Sequence, residues 1–271
     1  MLNKLHQVDL EIVKEVIEIC KKHKLSYYML GGTMLGAIRH KGFIPWDDDI
    51  DLGMPRKDYE KFLEVAQIEL PKNMRVVNYR NTPNYQYYIT RVQDTEFEVI
   101  EERIGNDSKF TYASIDIFPI DGSPNNFILR KIYFFRVLFH RAMMSIYYKD
   151  SIDRKRKRGT IERILLYVLE KLPFEKIINP NKEKIIIDRL LSSQDVSKSK
   201  FIGNIMGAYR TKEMVPKEWY GEGKLYKFED IELIGLEMYD EYLKFTYGDY
   251  MQLPPEENRK SHYTFLEDIH E

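Results

Sequence analysis

The run Asp47-Asp48-Asp49-Ile50-Asp51-Leu52 constrains the fold of this chain more than any other stretch, because its carboxylates and its apolar side chains cannot share one environment. Side chains alternate across a strand, so Ile50 and Leu52 turn to a core while Asp49 and Asp51 turn to a cleft. A strand from about Asp48 to Met54 is therefore expected. Like charges on one face repel, and a fold tolerates them more readily when a cation or a bound ligand compensates. Hard oxygen donors favour magnesium, with manganese as a substitute. A calcium loop counted from Asp47 fails, because its glycine falls at Leu52 and its closing glutamate at Asp58, with Gly53 one place late. Asp47 and Asp48 lie in the approach to the strand, where Pro45 and Trp46 mark a bend, and rank below Asp49 and Asp51.

Upstream, Leu25 to Leu30 reads as a short strand, Gly31-Gly32 as a turn and Thr33 to Arg39 as a short helix. A helix that starts on two glycines presents free N–H groups to an anion, and Arg39 can clamp a phosphate with two hydrogen bonds. His40 reads as an ordinary helix-end residue. Downstream, Ile115 and Ile117 flank Asp116 at strand spacing, while Asp121 before Gly122 reads as a turn residue. Asp49, Asp51 and Asp116, converging from adjacent strands, would hold one or two metal ions for phosphoryl transfer. Sequence does not separate a metal ligand from a general base at Asp116.

A chain of 271 residues buries a full core, and its net charge of −1 carries no basic field for nucleic acid. The single cysteine, Cys20, shares a helical stripe with Leu10, Val13 and Ile17 and belongs to the core. A first helix is expected over about Asp9 to His23, and another from Pro55 to about Ile68. Arg75–Tyr79, Tyr87–Gln93, Glu96–Glu101 and Tyr112–Phe118 read as strands of a mixed sheet, and the pattern turns helical from Asn126. Nothing at the N-terminus resembles a signal peptide, so a cytoplasmic location is expected. Residues 127–158 are apolar, aromatic and basic together, ending in Arg154-Lys155-Arg156-Lys157-Arg158. They fit either an interfacial helix on anionic lipid at the inner face of the cytoplasmic membrane or a core helix with a solvated loop. The tail, with Arg259 and His262, is expected to return toward the cleft.

Three blocks together resemble the LicD-type phosphotransferases, a branch of the nucleotidyltransferase fold that includes the fukutin-like proteins. They are Leu30-Gly31-Gly32-Thr33-Met34-Leu35-Gly36-Ala37-Ile38-Arg39-His40, Gly42-Phe43-Ile44-Pro45-Trp46 with the acids, and Ile115-Asp116-Ile117-Phe118-Pro119. A softer match covers Tyr242-Leu243, Tyr247 to Met251 and Leu253-Pro254-Pro255. The resemblance implies an α+β fold: a nucleotidyltransferase-like mixed β-sheet core over 1–124 flanked by helices, then a largely helical C-terminal half over 125–271 that completes the cleft. It implies metal-dependent transfer of phosphocholine from CDP-choline to a sugar hydroxyl of a cell-surface polysaccharide, teichoic-acid or lipopolysaccharide precursor, releasing CMP. Asp49, Asp51 and Asp116 would bind the metal, and Gly31, Gly32, Thr33 and Arg39 the donor phosphates. The glycan acceptor is expected to be lipid-linked. A quaternary ammonium is held by aromatic faces, for which Trp46, Trp219 and Tyr220 are candidates, with Tyr85, Tyr87 and Tyr88 behind them. Transfer of ribitol or glycerol phosphate, nucleotidyl transfer, and a glycosyltransferase using Asp49-Ile50-Asp51 stay open as alternatives.

Overall fold

A computed structural model describes residues 2–101, 109–148, 178–259 and 263–264. Helix α1 (Leu2–His23) begins earlier than Asp9, because Leu5 extends the buried stripe of Ile12, Val13, Val16, Ile17 and Cys20 by further turns. Strand β1 (Tyr28–Met29) runs straight into α2 (Gly31–Arg39), and β2 (Asp51–Pro55) straight into α3 (Arg56–Glu69). Tyr59, Phe62, Leu63 and Ala66 line the buried face of α3 at helical spacing. Then come β3 (Met74–Val77), β4 (Thr90–Glu101) and β5 (Lys109–Gly122). The two apolar runs on either side of Asp94 are one strand, β4, whose register against β5 shifts between Gln93 and Glu98. Such a bulge breaks the alternation and makes one strand read as two.

The C-terminal half supplies α4 (Phe127–Tyr147), α5 (Pro180–Ser192), β6 (Phe201–Gly203) and β7 (Val215–Pro216). A hairpin of β8 (Lys224–Phe228) and β9 (Ile231–Gly235), then α6 (Tyr239–Tyr247) and β10 (Tyr263–Thr264), complete the described elements. The main sheet runs β1-β2-β5-β4, with β3 and β10 both on β4, and β6 and β7 continuing from the end of β5. Its β2–β5 pair is parallel, and every other pair is antiparallel, which makes an α+β fold with a mixed sheet. Helix α1 packs on β4 and β5, and α3 on β2, β3 and β5. Ile50, Leu52, Ile115 and Ile117 are buried in this core. A second cluster, built from Val137, Met144, Ile187, Leu191 and Tyr88, seats α4 and α5 together.

An ionic network joins the two halves. Asp121 is no turn residue: it is buried at the end of β5 and accepts from Arg56 Nε at 2.7 Å and Nη2 at 2.5 Å. Arg56 also donates to Glu60 and to Asp188 of α5, and Arg80 bridges the same two carboxylates. Among the described residues no helix is long and apolar enough to cross a membrane. The Arg154–Arg158 run and His262 lie outside the described residues.

Candidate active site

The parallel pairing of β2 with β5 sets Asp51 opposite Asp116, and the antiparallel pairing of β4 with β5 sets Arg91 opposite Asp116. Directly paired residues on neighbouring strands share a face about 4.8 Å apart, so these three form a row across the sheet. Arg91 Nε donates to Asp116 Oδ1 at 3.0 Å, and its guanidinium lies 4.5 Å from the Tyr87 ring centre. Just before β2, the carboxylates of Asp47, Asp48 and Asp49 each offer an oxygen within 4.8 Å of the others. Asp48 is fully buried, which excludes a merely solvated turn at that position.

The glycine turn and the acid strand form one unit. Leu30 N–H donates to the Asp51 carbonyl at 3.0 Å, and Asp51 N–H donates to Thr33 Oγ1 at 2.8 Å. Thr33 thus ties the start of α2 to β2. Gly31 sits at φ +49°, where a Cβ would meet Asp51 Oδ2 at 3.3 Å, and its N–H donates to Tyr242 Oη at 3.0 Å. A Cβ at Gly32 would lie 2.5 Å from Asp47 Oδ2. Gly32→Ala is therefore expected to push Asp47 out of the cluster and lower turnover about tenfold, with a melting temperature within a few degrees of the parent. Rates matching the parent would show that Asp47 needs no such close approach.

The residues present fit a hard divalent cation. Burial, then the charges of Asp49, Asp116, Asp47 and Glu213, hold the Asp51 carboxyl well above the usual carboxylate range. Asp9 of α1 is buried beneath the same cluster, and neither of its oxygens has a hydrogen-bond partner among the described residues. Burial, then Asp49, Asp48 and Asp116, hold it well above the carboxylate range too. Carboxylates crowded and buried in this way offer the hard oxygen donors that a magnesium or manganese ion takes. Helix α1 also fixes the acid loop directly, because His6 Nε2–H donates to the Asp47 carbonyl at 2.7 Å while its ring stacks on Phe43.

Two cavities meet at the acids. One, of about 620 Å³, is lined by Gly32, Arg39, Trp46, Asp47, Tyr247 and Asp249. The other, of about 530 Å³, is lined by Asp116, Tyr87, Arg141, Met144 and Tyr148. Asp49, Asp51 and Ala208 belong to both walls. Arg39 Nη1 donates to the Tyr250 carbonyl at 2.8 Å, which anchors its guanidinium at the first cavity. The tail does return to the cleft: the Arg259 guanidinium lies 5.1 Å from the Trp46 ring centre, and its Nη1 is 3.9 Å from Glu256 Oε1.

Of the three aromatic candidates, Trp46 lines the first cavity. Trp219 packs edge-on against Phe245, Tyr220 is buried against Tyr28, and neither lines these two cavities. Tyr87 and Tyr88 do line the second cavity, and Tyr85 packs edge-on against Tyr87. Sequence reasoning missed Arg141, whose Nη1 donates to the carbonyls of Ile205 at 3.0 Å and Gly207 at 2.8 Å. Burial pulls its pKa down to about 10. It also missed Glu213, which accepts from Tyr209 N–H at 2.8 Å and which burial pushes up to about 7. Arg141 was hidden among the cations of a basic helix, and Glu213 ends a single 3-10 turn (Arg210–Glu213) too short to show periodicity.

A family profile described as LicD/FKTN/FKRP, nucleotidyltransferase domain, matches residues 24–180. The lipopolysaccharide cholinephosphotransferase LicD of Haemophilus influenzae is 32% identical over 263 residues, covering 94% of this chain and 93% of that protein. The ribitol 5-phosphate transferase FKRP of Homo sapiens is 40% identical over 48 residues, which is 18% of this chain and 10% of FKRP. With a profile that spans more than half of the sequence and a relative aligned along nearly all of it, this chain belongs to the LicD/FKTN/FKRP family.

Proposed function

We propose that the chain is a phosphotransferase that moves phosphocholine from CDP-choline to a sugar hydroxyl of a cell-surface glycan precursor and releases CMP. The observation that carries this is the meeting of two cavities at Asp49 and Asp51, since a transfer between two substrates needs both to reach one set of charges. The aligned lipopolysaccharide cholinephosphotransferase supports choline as the alcohol and a glycan as the acceptor.

In this reaction the sugar oxygen bonds to the phosphorus that carries choline, and the bond from that phosphorus to the bridging oxygen breaks. CMP leaves with the bridging oxygen, and the hydroxyl proton is taken up at the site. Asp47, Asp49, Asp51 and Asp116 would hold magnesium, which when bound supplies positive charge to the transferring phosphoryl group. Arg39, the last residue of α2, binds the donor diphosphate in the first cavity, which Gly32 at the start of the same helix also lines. Arg91 holds the Asp116 carboxylate in place from the neighbouring strand. The acceptor enters by the second cavity, past Tyr87, Arg141 and Tyr148.

Incubation of the purified protein with magnesium, CDP-choline and a lipopolysaccharide acceptor lacking phosphocholine tests this. CMP and a phosphocholine-bearing glycan are expected. Free phosphocholine with CMP on the glycan would make the enzyme a nucleotidyltransferase, and no consumption of CDP-choline would remove choline as the donor alcohol. The short match to a ribitol 5-phosphate transferase makes CDP-ribitol the second donor to assay. Arg39→Ala is expected to raise the donor KM by roughly 10- to 100-fold, the loss of one charge-assisted contact of about 1.5–3 kcal/mol. An unchanged donor KM would place the diphosphate elsewhere.

A further inference from the structure

The outward face of α4 carries a row of large apolar side chains that the described residues leave uncovered: Ile128, Ile132, Phe135 and Phe139 are 66%, 52%, 70% and 48% exposed. At 100° per residue these four fall within roughly 60° of one another, one unbroken stripe over three turns. Phe127 and Leu129, also exposed, widen it at the first turn. The opposite face is spent on the fold, with Tyr133, Val137 and Met144 buried. Scattered exposed hydrophobics need no explanation, but a contiguous patch of this kind marks a contact surface.

The charges identify the contact. No aspartate or glutamate occurs in the 21 residues of α4, and the exposed Lys131 and Arg136 flank the stripe on its two sides. Long cationic side chains beside an apolar stripe lay their stems along it and reach their charges outward. Pairing this face with a second copy of itself would set cations against cations, with no carboxylate on the helix to compensate. We infer that α4 seats the protein on an anionic lipid surface, its axis in the plane of the bilayer and its apolar stripe below the headgroups. The same helix, beyond Phe139, turns Arg141, Met144 and Tyr148 into the second cavity. Seating α4 therefore holds the second cavity across the helix from the bilayer, about one helix diameter above it, within reach of a lipid-linked glycan. The seating itself rests on the face of α4 and not on the proposed reaction.

Vesicle flotation of the full chain tests it, with phosphatidylcholine alone and with about a third phosphatidylglycerol. The protein is expected to float with the anionic vesicles and to stay down with the neutral ones. The Ile128→Asp/Phe135→Asp and Lys131→Glu/Arg136→Glu pairs are each expected to reduce flotation at least about tenfold. Ile68→Asp, at an exposed apolar position of α3, is expected to leave it unchanged. Circular dichroism and melting curves matching the parent show that the variants fold. No flotation, or flotation equal in parent and α4 variants, overturns the inference. So does light scattering that shows a dimer turned to monomer by Ile128→Asp/Phe135→Asp, because the stripe would then join two copies. None of these readouts requires turnover, so the membrane inference and the CDP-choline assay fail separately.

Discussion

Asp51→Asn and Asp116→Asn, made singly, are each expected to lower turnover by on the order of 10²- to 10³-fold while leaving the fold intact. The substitution keeps shape and removes one negative charge. At Asp51 that charge stands among Asp47, Asp49, Asp116 and Glu213, so its loss relieves repulsion in the free protein. The melting temperature of Asp51→Asn is accordingly expected to match or exceed that of the parent, even as activity collapses. A gain in stability with a loss of rate marks a position held for chemistry rather than for folding. Asp116→Asn differs, because Arg91 then faces an amide in place of a carboxylate, and a small drop in melting temperature is expected alongside the lost rate. CMP release at saturating magnesium and donor, with melting curves on the same preparations, measures both. A rate within twofold of the parent for either variant removes that residue from the site.

The second large effect concerns stability. Arg56→Ala is expected to destabilise the protein by about 3–5 kcal/mol, because it leaves the buried Asp121 carboxyl without its partner, and Asp121→Ala by somewhat less, because Arg56 keeps Glu60 and Asp188. For a chain of this size that corresponds to a fall in melting temperature on the order of 10 °C. Arg56→Lys is expected to recover only part of it, since one ammonium cannot make the two parallel bonds to Asp121 while also reaching Asp188. The damage should not stay local. Arg56 ties α3 to the end of β5 and to α5, and α5 packs on α4, so the wall of the second cavity loosens with it. Hydrogen exchange is expected to rise first in α4 and α5. A shift below about 2 °C in either alanine variant would mean that solvent reaches the pair and replaces the missing charge.

The site was legible in the sequence where its logic is local. Alternation at Asp49-Ile50-Asp51-Leu52 and at Ile115-Asp116-Ile117 specified which side chains leave the core, and the sheet then had only to pair those strands. The glycines of the turn were legible for the same reason, although what they accommodate is the Asp51 and Asp47 carboxylates packed against them. What could not be read is long-range. Asp121 looks like a turn residue beside Gly122 until Arg56, 65 positions earlier, is laid against it. Asp9 begins the expected helix as an ordinary polar position, and only packing shows it buried beneath the acid loop. Arg91 and Arg141 are single cations in a strand and a helix, and no spacing sets them apart from solvated ones. An aromatic pocket is a matter of which rings meet, so composition around Trp46, Trp219 and Tyr220 could not report that Trp219 packs on Phe245 and Tyr220 on Tyr28.

The hydroxyl of Tyr242 that receives the Gly31 N–H, and the Tyr250 carbonyl that steadies Arg39, both come from the end of the chain, while the groups they serve lie in its first forty residues. On the ribosome, then, the acids can emerge and the sheet can begin to pair long before the donor cavity has its far side. The growing polypeptide lacks both contacts until α6 and Tyr250 dock, and a product cut off before Tyr239 would carry the acids without the groups that steady Gly31 and Arg39.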